Sequence, residues 1–197
     1  MPKVVDVDER RATVGAAAAR VIAQSGLSAA TLRTVAAEAG CTTGMLTHYF
    51  KDKRELLRFT LGASLDRRRL DFTAQADGDV LSQLRTKLED ELPVDDERLH
   101  HWMVTLAFSA EAGNDPDFAA DQRTAYRGHR RAVTAMLDEA LAEGLLARGL
   151  DPRQEAERLI AVTNGVALQA IFDPDSWPAA RQVDFVREAV APLRRAD

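Results

Sequence analysis

Residues 31–53, TLRTVAAEAGCTTGMLTHYFKDK, contain two short helical patterns that are separated by a glycine. In the first pattern, apolar residues recur at the i, i+3, i+4 and i+7 spacing that gives a helix one apolar face: Leu32, Val35, Ala36 and Ala39. Thr31 occupies the position of an N-cap, and Gly40 lies where a helix ends with a positive φ. These signals predict a short helix between Thr31 and Gly40.

The second pattern predicts another short helix, which begins after a cap at Thr42. Its expected buried side carries Met45, Leu46, Tyr49 and Phe50. Its outward residues are small or hydrogen-bonding and can approach base edges and phosphates closely: Thr43, Gly44, Thr47 and His48. This is the layout of a helix-turn-helix, whose second helix lies in the DNA major groove. The alternative is an ordinary helical hairpin in an all-α core, and spacing rather than charge favours the helix-turn-helix.

A third helix is predicted upstream of this pair. Its apolar stripe has the spacing i, i+3, i+4, i+7 and i+8: Val14, Ala17, Ala18, Val21 and Ile22. Gly26 closes this helix, and Leu27 follows where it can pack back on the stripe. Three helices of this length are enough for a small DNA-binding head if a larger body supports it.

The stretch resembles the DNA-binding domain of the TetR family of bacterial transcriptional regulators, over roughly the first quarter of the chain. The positions that match the family pattern keep its spacing: Thr31, Val35, Ala36, Ala39, Gly40, Thr42, Gly44, Leu46, Tyr49, Phe50 and Lys53. Cys41 stands where the family usually has valine, and we interpret it as a small buried hydrophobe. Residues 47–50, THYF, are similar to the Ser-His-Tyr-Phe of the choline-responsive BetI-type branch.

The resemblance implies an all-α fold with a helix-turn-helix domain in residues 1–53 and a regulatory ligand-binding and dimerisation domain in residues 54–197. It implies a ligand-responsive repressor that binds a palindromic operator as a homodimer and is released by a small-molecule effector. On this reading Thr43, Gly44, Thr47 and His48 face bases, and the predicted phosphate contacts are Thr31, Arg33, Thr42, Tyr49 and Lys53. The alternative is a helical DNA- or protein-interaction module that a partner protein controls without a small-molecule ligand.

The composition fits one core with a small head, since the chain has 197 residues and 46% of them are hydrophobic. No apolar run approaches the roughly 20 residues that span a bilayer, and no signal-peptide pattern begins the chain. The lone cysteine excludes an internal disulfide. We therefore expect a cytoplasmic protein with no membrane partner. Residues 1–54 carry a net charge of +3 and the remainder −8, which orients a basic head toward a polyanion.

Six further helices are predicted in the body, at about residues 53–74, 79–92, 95–113, 115–141, 153–172 and 179–195. Two of them begin at an Asp-Pro pair, Asp115-Pro116 and Asp151-Pro152, in which a capping aspartate precedes a proline at the first helical position. No strand-like alternation of useful length is found. The body is therefore predicted to be helical throughout.

The last two body helices favour a dimer. The segment between Ala156 and Ile171 is apolar on almost every side, so one side needs a partner beyond its own core. With the final helix it could form a symmetric four-helix interface; that helix carries Val183, Val186, Val190 and Leu193. The alternative is the central core helix of a monomer.

The resemblance also implies a ligand cavity in the body. Candidate ligand contacts are the polar and aromatic residues of otherwise apolar faces: Trp102, Phe108, Glu111, Gln122, Tyr126 and Asn164, with His129, Thr163 and Gln169. A cation held by an aromatic face and Glu111 would suit a BetI-like protein.

An enzyme is the alternative from another functional class, because Glu97, His100 and His101 are neighbours in sequence and histidines with a carboxylate can hold a metal. Adjacent histidines point about 100° apart on a helix, however, so both cannot easily reach one ion. The chain has no His-Glu-x-x-His motif, no phosphate loop and no nucleophile elbow. We predict no catalytic site, no metal and no cofactor.

Overall fold

The computed structural model describes residues 7–73, 77–113 and 115–195, with the side chains of residues 66–73 excepted. Within these residues the chain forms nine α-helices, which we number in chain order: α1 Val7–Ser25, α2 Leu32–Glu38, α3 Thr43–Tyr49, α4 Lys53–Thr73, α5 Val80–Asp90, α6 Asp96–Glu111, α7 Pro116–Ala142, α8 Pro152–Phe172 and α9 Ala179–Val190. Two 3₁₀ turns, Leu27–Ala29 and Ala191–Leu193, complete the helical structure described. The predicted all-α fold is confirmed.

The caps of the two short N-terminal helices are those that the spacing predicts. The hydroxyl of Thr31 accepts the backbone N–H of Thr34 at 3.1 Å, and the Thr34 hydroxyl accepts the N–H of Thr31 at 2.9 Å. Gly40 has φ 65°, a conformation that glycine adopts without strain. The Thr42 hydroxyl then accepts the N–H of Met45 at 3.1 Å and caps α3.

Four body helices begin at aspartate caps, and two of these caps, Asp115 and Asp151, were predicted from the sequence. In each case a carboxylate oxygen accepts a backbone N–H of the first turn at 2.8–2.9 Å; the caps are Asp79, Asp95, Asp115 and Asp151. Each cap satisfies a donor that the helix start would otherwise leave unpaired. The starts of α5, α6, α7 and α8 are therefore local properties of the sequence.

The last helix is shorter than predicted. We expected it to continue to about Arg195, but α9 ends at Val190 and is followed by the 3₁₀ turn Ala191–Leu193. Pro192 explains the difference, because its ring and missing N–H are incompatible with a continuing α-helix. Beyond the turn, Arg194 forms an antiparallel bridge with Leu146.

The chain divides into two compact units, each with its own apolar core. The first unit contains the residues up to Arg67 together with His100–Gln122, and Leu46, Phe50 and Phe108 are completely buried in its core. The second contains Arg68–Leu99 and Arg123–Asp197; its buried residues include Leu84, Leu88, Val133, Leu137 and Leu159. The functional boundary after residue 53 remains a prediction, because compactness and function are different criteria.

Candidate nucleic-acid interface

Two side chains anchor α3 in the core of the first unit. Leu46 and Phe50 have no exposed surface, and both pack in the same cluster as Val35 of α2 and Ile22 of α1. The Phe50 ring also meets the Phe59 ring of α4 edge-on, with 5.3 Å between centroids. Because a seven-residue helix is unstable alone, these tertiary contacts hold α3 in place.

The opposite side of α3 is exposed and polar. Thr43, Gly44, Thr47 and His48 are all exposed, as the sequence predicts. The Thr47 hydroxyl donates to the carbonyl of Gly44 at 2.8 Å, which leaves its oxygen free to accept a further hydrogen bond. Gly44 has no side chain, so a base or phosphate can approach its backbone closely. This face therefore presents small groups that can reach base edges.

Met45 corrects one part of the sequence reasoning. We expected it on the buried side of α3, but 42% of the residue is exposed. Leu46 lies about 100° further round the helix, where it packs in the core with residues of α1 and α2, whereas Met45 lies outside that core. Cys41, which we expected to be buried, is half-buried against the same core. The exposed thioether of Met45 widens the outer face of α3 with an apolar group, of the kind that contacts thymine methyls.

The predicted phosphate contacts occupy different environments. Thr31, Arg33 and Thr42 are exposed, whereas Tyr49 is half-buried. Lys53 is also half-buried, and its Nζ lies 3.4 Å from the Leu27 carbonyl and 3.3 Å from the Ser28 carbonyl. An ammonium has three donors, so these two long contacts leave Lys53 with capacity for a phosphate.

Arg11 is a residue that the sequence reasoning missed. From α1 it donates one hydrogen bond to the backbone carbonyl of Tyr49 and another to Glu55 Oε1, the latter at 3.1 Å. The backbone N–H of Lys51 and the Arg11 guanidinium both bind Glu55 and lower the pKa of its carboxyl. No short-range signal reveals this cluster, since its members lie 38 and 44 residues from Arg11.

The candidate ligand contacts differ in burial and fall in both units. Trp102 and Phe108 are buried, and the Phe108 ring lies 5.3 Å from that of Phe118. Glu111, Gln122 and Asn164 are half-buried, while Tyr126 is 42% exposed. The first unit contains the following: Trp102, Phe108, Glu111 and Gln122. Tyr126 and Asn164 belong to the second unit, so the assignment of all six remains a prediction.

The second unit also contains a buried acid–imidazole pair. Nε2 of His129 lies 3.4 Å from Oε1 of Glu91, and each side chain is only 6% exposed. A separate open groove of about 370 Å³ lies on the same unit; it is lined by Arg130, Arg131, Thr134, Ala135, Asp138 and Arg153. None of the candidate ligand contacts lines this groove.

The residues of the enzyme alternative do not assemble into a metal site. His101 Nδ1 lies 3.1 Å from the hydroxyl of Ser64, an ordinary polar contact within the first unit. Within the described ranges, no group of three His, Cys, Asp or Glu side chains has an arrangement that could hold a metal ion. Among the same residues, no helix has the length and apolar character that a membrane span requires.

Comparison with known families agrees with this geometry. A sequence model described as "Bacterial regulatory proteins, tetR family" matches residues 16–58, which contain α2 and α3. Another, described as "BetI-type transcriptional repressor, C-terminal", matches residues 81–195, more than half of the chain. The chain belongs to the TetR family. The family consists of transcriptional regulators and not of enzymes.

Individual TetR-family relatives align along most of the chain. The regulator PksA of Bacillus subtilis is 34% identical over 177 residues, which are 88% of this chain and 84% of PksA. The regulator BetI of Paraburkholderia phymatum is 32% identical over 184 residues, which are 90% of this chain and 89% of BetI. A regulator from Saccharomonospora viridis, solved in complex with choline, superposes with a TM-score of 0.83. The superposition covers 96% of this chain and 100% of that chain. Because the two sequences are only 20% identical, this similarity supports the fold alone.

Proposed function

We propose that this chain is a cytoplasmic, ligand-responsive repressor that binds a palindromic DNA operator as a homodimer and is released by a small-molecule effector. The observation that carries the DNA-binding part is the two-sided character of α3. Leu46 and Phe50 anchor one side in the core, while Thr47 and His48 extend from the other. Such a helix, preceded by the capped helix α2, suits insertion into the major groove.

The exposed residues of α2 and α3 suggest a division of roles. Thr43, Gly44, Thr47 and His48 face bases and select the sequence. The phosphate contacts surround them and set affinity and register: Thr31, Arg33, Thr42, Tyr49 and Lys53. Changes in the first group alter which sequence is preferred, whereas changes in the second weaken binding to every sequence.

The surface of the last two helices supports the homodimer. Along one stripe of α8, Ala161 and Phe172 are exposed and Gly165 and Leu168 are half-buried. Phe172 is 77% exposed, and Phe185 of α9 is 45% exposed. An apolar stripe with a small residue at its centre can pack closely against its symmetry mate. Two copies would then present two α3 helices to the two halves of a palindrome.

Ion pairs of α4 with α7 support a two-state switch. Arg54 Nη2 lies 3.0 Å from Asp115 Oδ1 and 2.8 Å from Asp117 Oδ2. Arg58 donates twice to Asp121, at 3.0 and 3.1 Å, and this carboxylate raises the pKa of the guanidinium. Since α4 begins four residues after the end of α3, a shift of α4 would move α3. To change occupancy from nearly complete to nearly absent, the effector must favour the released state by about 5.5 kcal/mol.

Relatives suggest the first class of effector to test. The BetI-type match and the choline complex of the Saccharomonospora viridis regulator favour a quaternary ammonium compound, with half-buried Glu111 as its counter-charge. Trp102 lies nine residues before Glu111 on α6, so the two point to opposite sides of the helix. Phe108 lies less than one turn before Glu111 and is a nearer aromatic neighbour.

A DNA titration tests the proposed operator binding. Purified protein is titrated against the DNA upstream of its own coding sequence, at two salt concentrations. We expect saturable, salt-dependent binding to a palindrome. Thr47→Ala and His48→Ala are expected to change the preferred sequence, and Arg33→Ala to weaken binding to all sequences alike. If the two kinds of variant behave identically, α3 is not the recognition helix.

A second experiment tests the effector class. Choline is titrated into the protein–operator complex of the wild type and of Glu111→Gln. We expect choline to release the wild type. We expect the variant to keep its DNA affinity but to require at least about tenfold more choline, because the substitution removes the counter-charge of a partly desolvated cation. If choline releases neither protein, or both equally, the quaternary ammonium assignment is wrong, and operator binding is unaffected by that result.

A further inference from the structure

Arg11 joins three helices of the first unit through one side chain. It belongs to α1, its hydrogen bond to the Tyr49 carbonyl reaches the last residue of α3, and its bond to Glu55 reaches the first turn of α4. The side chain is 26% exposed, so it is neither an ordinary surface charge nor a buried one. A guanidinium has five donors in a planar fork, which allows one residue to hold both partners.

Two aromatic rings lie against this guanidinium. Its central carbon lies 4.5 Å from the centroid of the Phe50 ring and 4.9 Å from that of the Phe59 ring. Phe50 is the residue directly after α3 and is completely buried, and Phe59 belongs to α4. Arginine stacks on aromatic faces in a way that lysine does not reproduce. The hydrogen bonds of Arg11 and its contacts with the two rings therefore act jointly to hold the end of α3 against α4.

The connection between α3 and α4 is fixed at both ends. Glu55 accepts the backbone N–H of Lys51 at 2.8 Å in addition to the bond from Arg11. Asp52 in turn accepts the N–H of Glu55 at 2.8 Å and caps α4. The three residues that separate the two helices consequently have little freedom to change direction.

The carbonyl that Arg11 contacts is one of the unsatisfied groups at the C-terminal end of α3. A cation there also complements the negative end of the helix dipole. We propose that Arg11 is a positioning residue for DNA reading, which sets the direction of α3 and with it the placement of Thr47 and His48 against the bases. This inference rests on the proposed operator binding and adds a residue that itself touches no base.

Arg20 provides a matched control in the same helix. Its Nε lies 2.6 Å from Glu38 Oε1 of α2, with side-chain exposures of 45% and 35%. Arg20→Met removes one positive charge and one arginine–glutamate pair from the first unit, as Arg11→Met does, but leaves the contacts at the end of α3 untouched. The comparison therefore separates positioning of α3 from loss of charge.

The experiment compares sequence discrimination. The wild type first selects an operator from a randomised duplex library; Kd for this operator and for an unrelated duplex is then measured at one salt concentration, well below the thermal midpoint of each variant. Discrimination is the Kd for the unrelated duplex divided by the Kd for the operator. We expect this ratio to fall at least about tenfold in Arg11→Met, which is equivalent to the loss of one base contact, and less than about twofold in Arg20→Met. Arg11→Lys keeps the charge without the fork and is expected to lose discrimination as well.

Three results would overturn the inference. If Arg11→Met and Arg20→Met have the same ratio, Arg11 has only a structural or electrostatic role. If Arg11→Met is unfolded, Arg11→Lys decides, because retention of full discrimination with a lysine contradicts a role for the fork and its stacking. If the wild type selects no sequence at all, the proposed operator binding fails and this inference fails with it.

Discussion

Truncation of Phe172 tests the homodimer most directly, because this ring is the most exposed large apolar group identified in the described residues. An aromatic side chain has about 150–250 Å² of surface, and with 77% of Phe172 exposed roughly 150 Å² remains to be covered. At about 25 cal/mol/Å², covering it is worth about 4 kcal/mol, or about 3 kcal/mol relative to alanine. A symmetric interface contains the ring twice.

Buried area converts only partly into affinity, because ordering and desolvation oppose it. If half of the combined value is realised, Phe172→Ala weakens the dimer by about 3 kcal/mol, which is about 100-fold in Kd. The measurement is sedimentation velocity across a dilution series, with circular dichroism to verify that the helices remain. Leu141→Ala is the control, since Leu141 is 49% exposed but lies on α7. An unchanged dimer Kd in Phe172→Ala, or an equal loss in Leu141→Ala, would refute the assignment of the interface to α8 and α9.

Three further substitutions test the head and the stability of the second unit. Thr42→Ala removes the cap of α3 and is expected to lower the free energy of unfolding by about 1 kcal/mol in urea titrations, whereas Thr43→Ala, which removes no cap, is expected to change it by less than half as much. Lys53→Ala is expected to weaken binding to all DNA sequences and to lower the slope of log K against log salt by about one; an unchanged slope would mean that its carbonyl contacts are its only role. Asp79→Asn keeps Oδ1, and with it the cap of α5, but loses the carboxylate charge and the 2.8 Å contact of Oδ2 with Arg194 Nη1. In the wild type, the hydrogen bonds from Arg194 to both carboxylate oxygens hold the pKa of Asp79 well below its ordinary 3.8. Because the pKa of Asp79 is lower in the folded state, its pair with Arg194 stabilises the protein above about pH 4, and this contribution fades as the pH falls further. We expect the variant to lose less than about 1 kcal/mol of unfolding free energy at pH 7 and a smaller amount at pH 3. The same loss at both pH values would contradict this role of the pair.

The position of Arg11 has a consequence for how variants of this head are interpreted. A residue at the first turns of α1 influences α3 although the two helices are separated by the whole of α2 in the chain. Substitutions near residue 11 can therefore alter DNA selectivity without any contact to DNA. Loss of selectivity is by itself no proof of a base contact, and the ratio of operator to unrelated DNA affinity must be compared with a matched variant such as Arg20→Met.

The helices and the helix-turn-helix were determined by the sequence itself. Caps such as Thr31, Thr42 and Asp79 act on N–H groups only three residues away, and Gly40 ends a helix through its own backbone freedom. Interactions of this range are visible in a linear pattern. The predicted end of the last helix near Arg195 was wrong for an equally local reason, because Pro192 has no N–H to continue the helix beyond Val190.

Only the tertiary structure decided how the elements are held together. Arg11 and Glu55 are 44 residues apart, and Arg194 and Asp79 are 115 apart, so no periodicity indicates that they meet. The predicted burial of Met45 was wrong for the same reason, because the pattern offers two adjacent apolar residues and only packing against α1 and α2 selects Leu46 for the core. Local hydrogen bonds define where the capped helices begin, whereas the direction in which α3 presents its residues depends on contacts between distant parts of the chain.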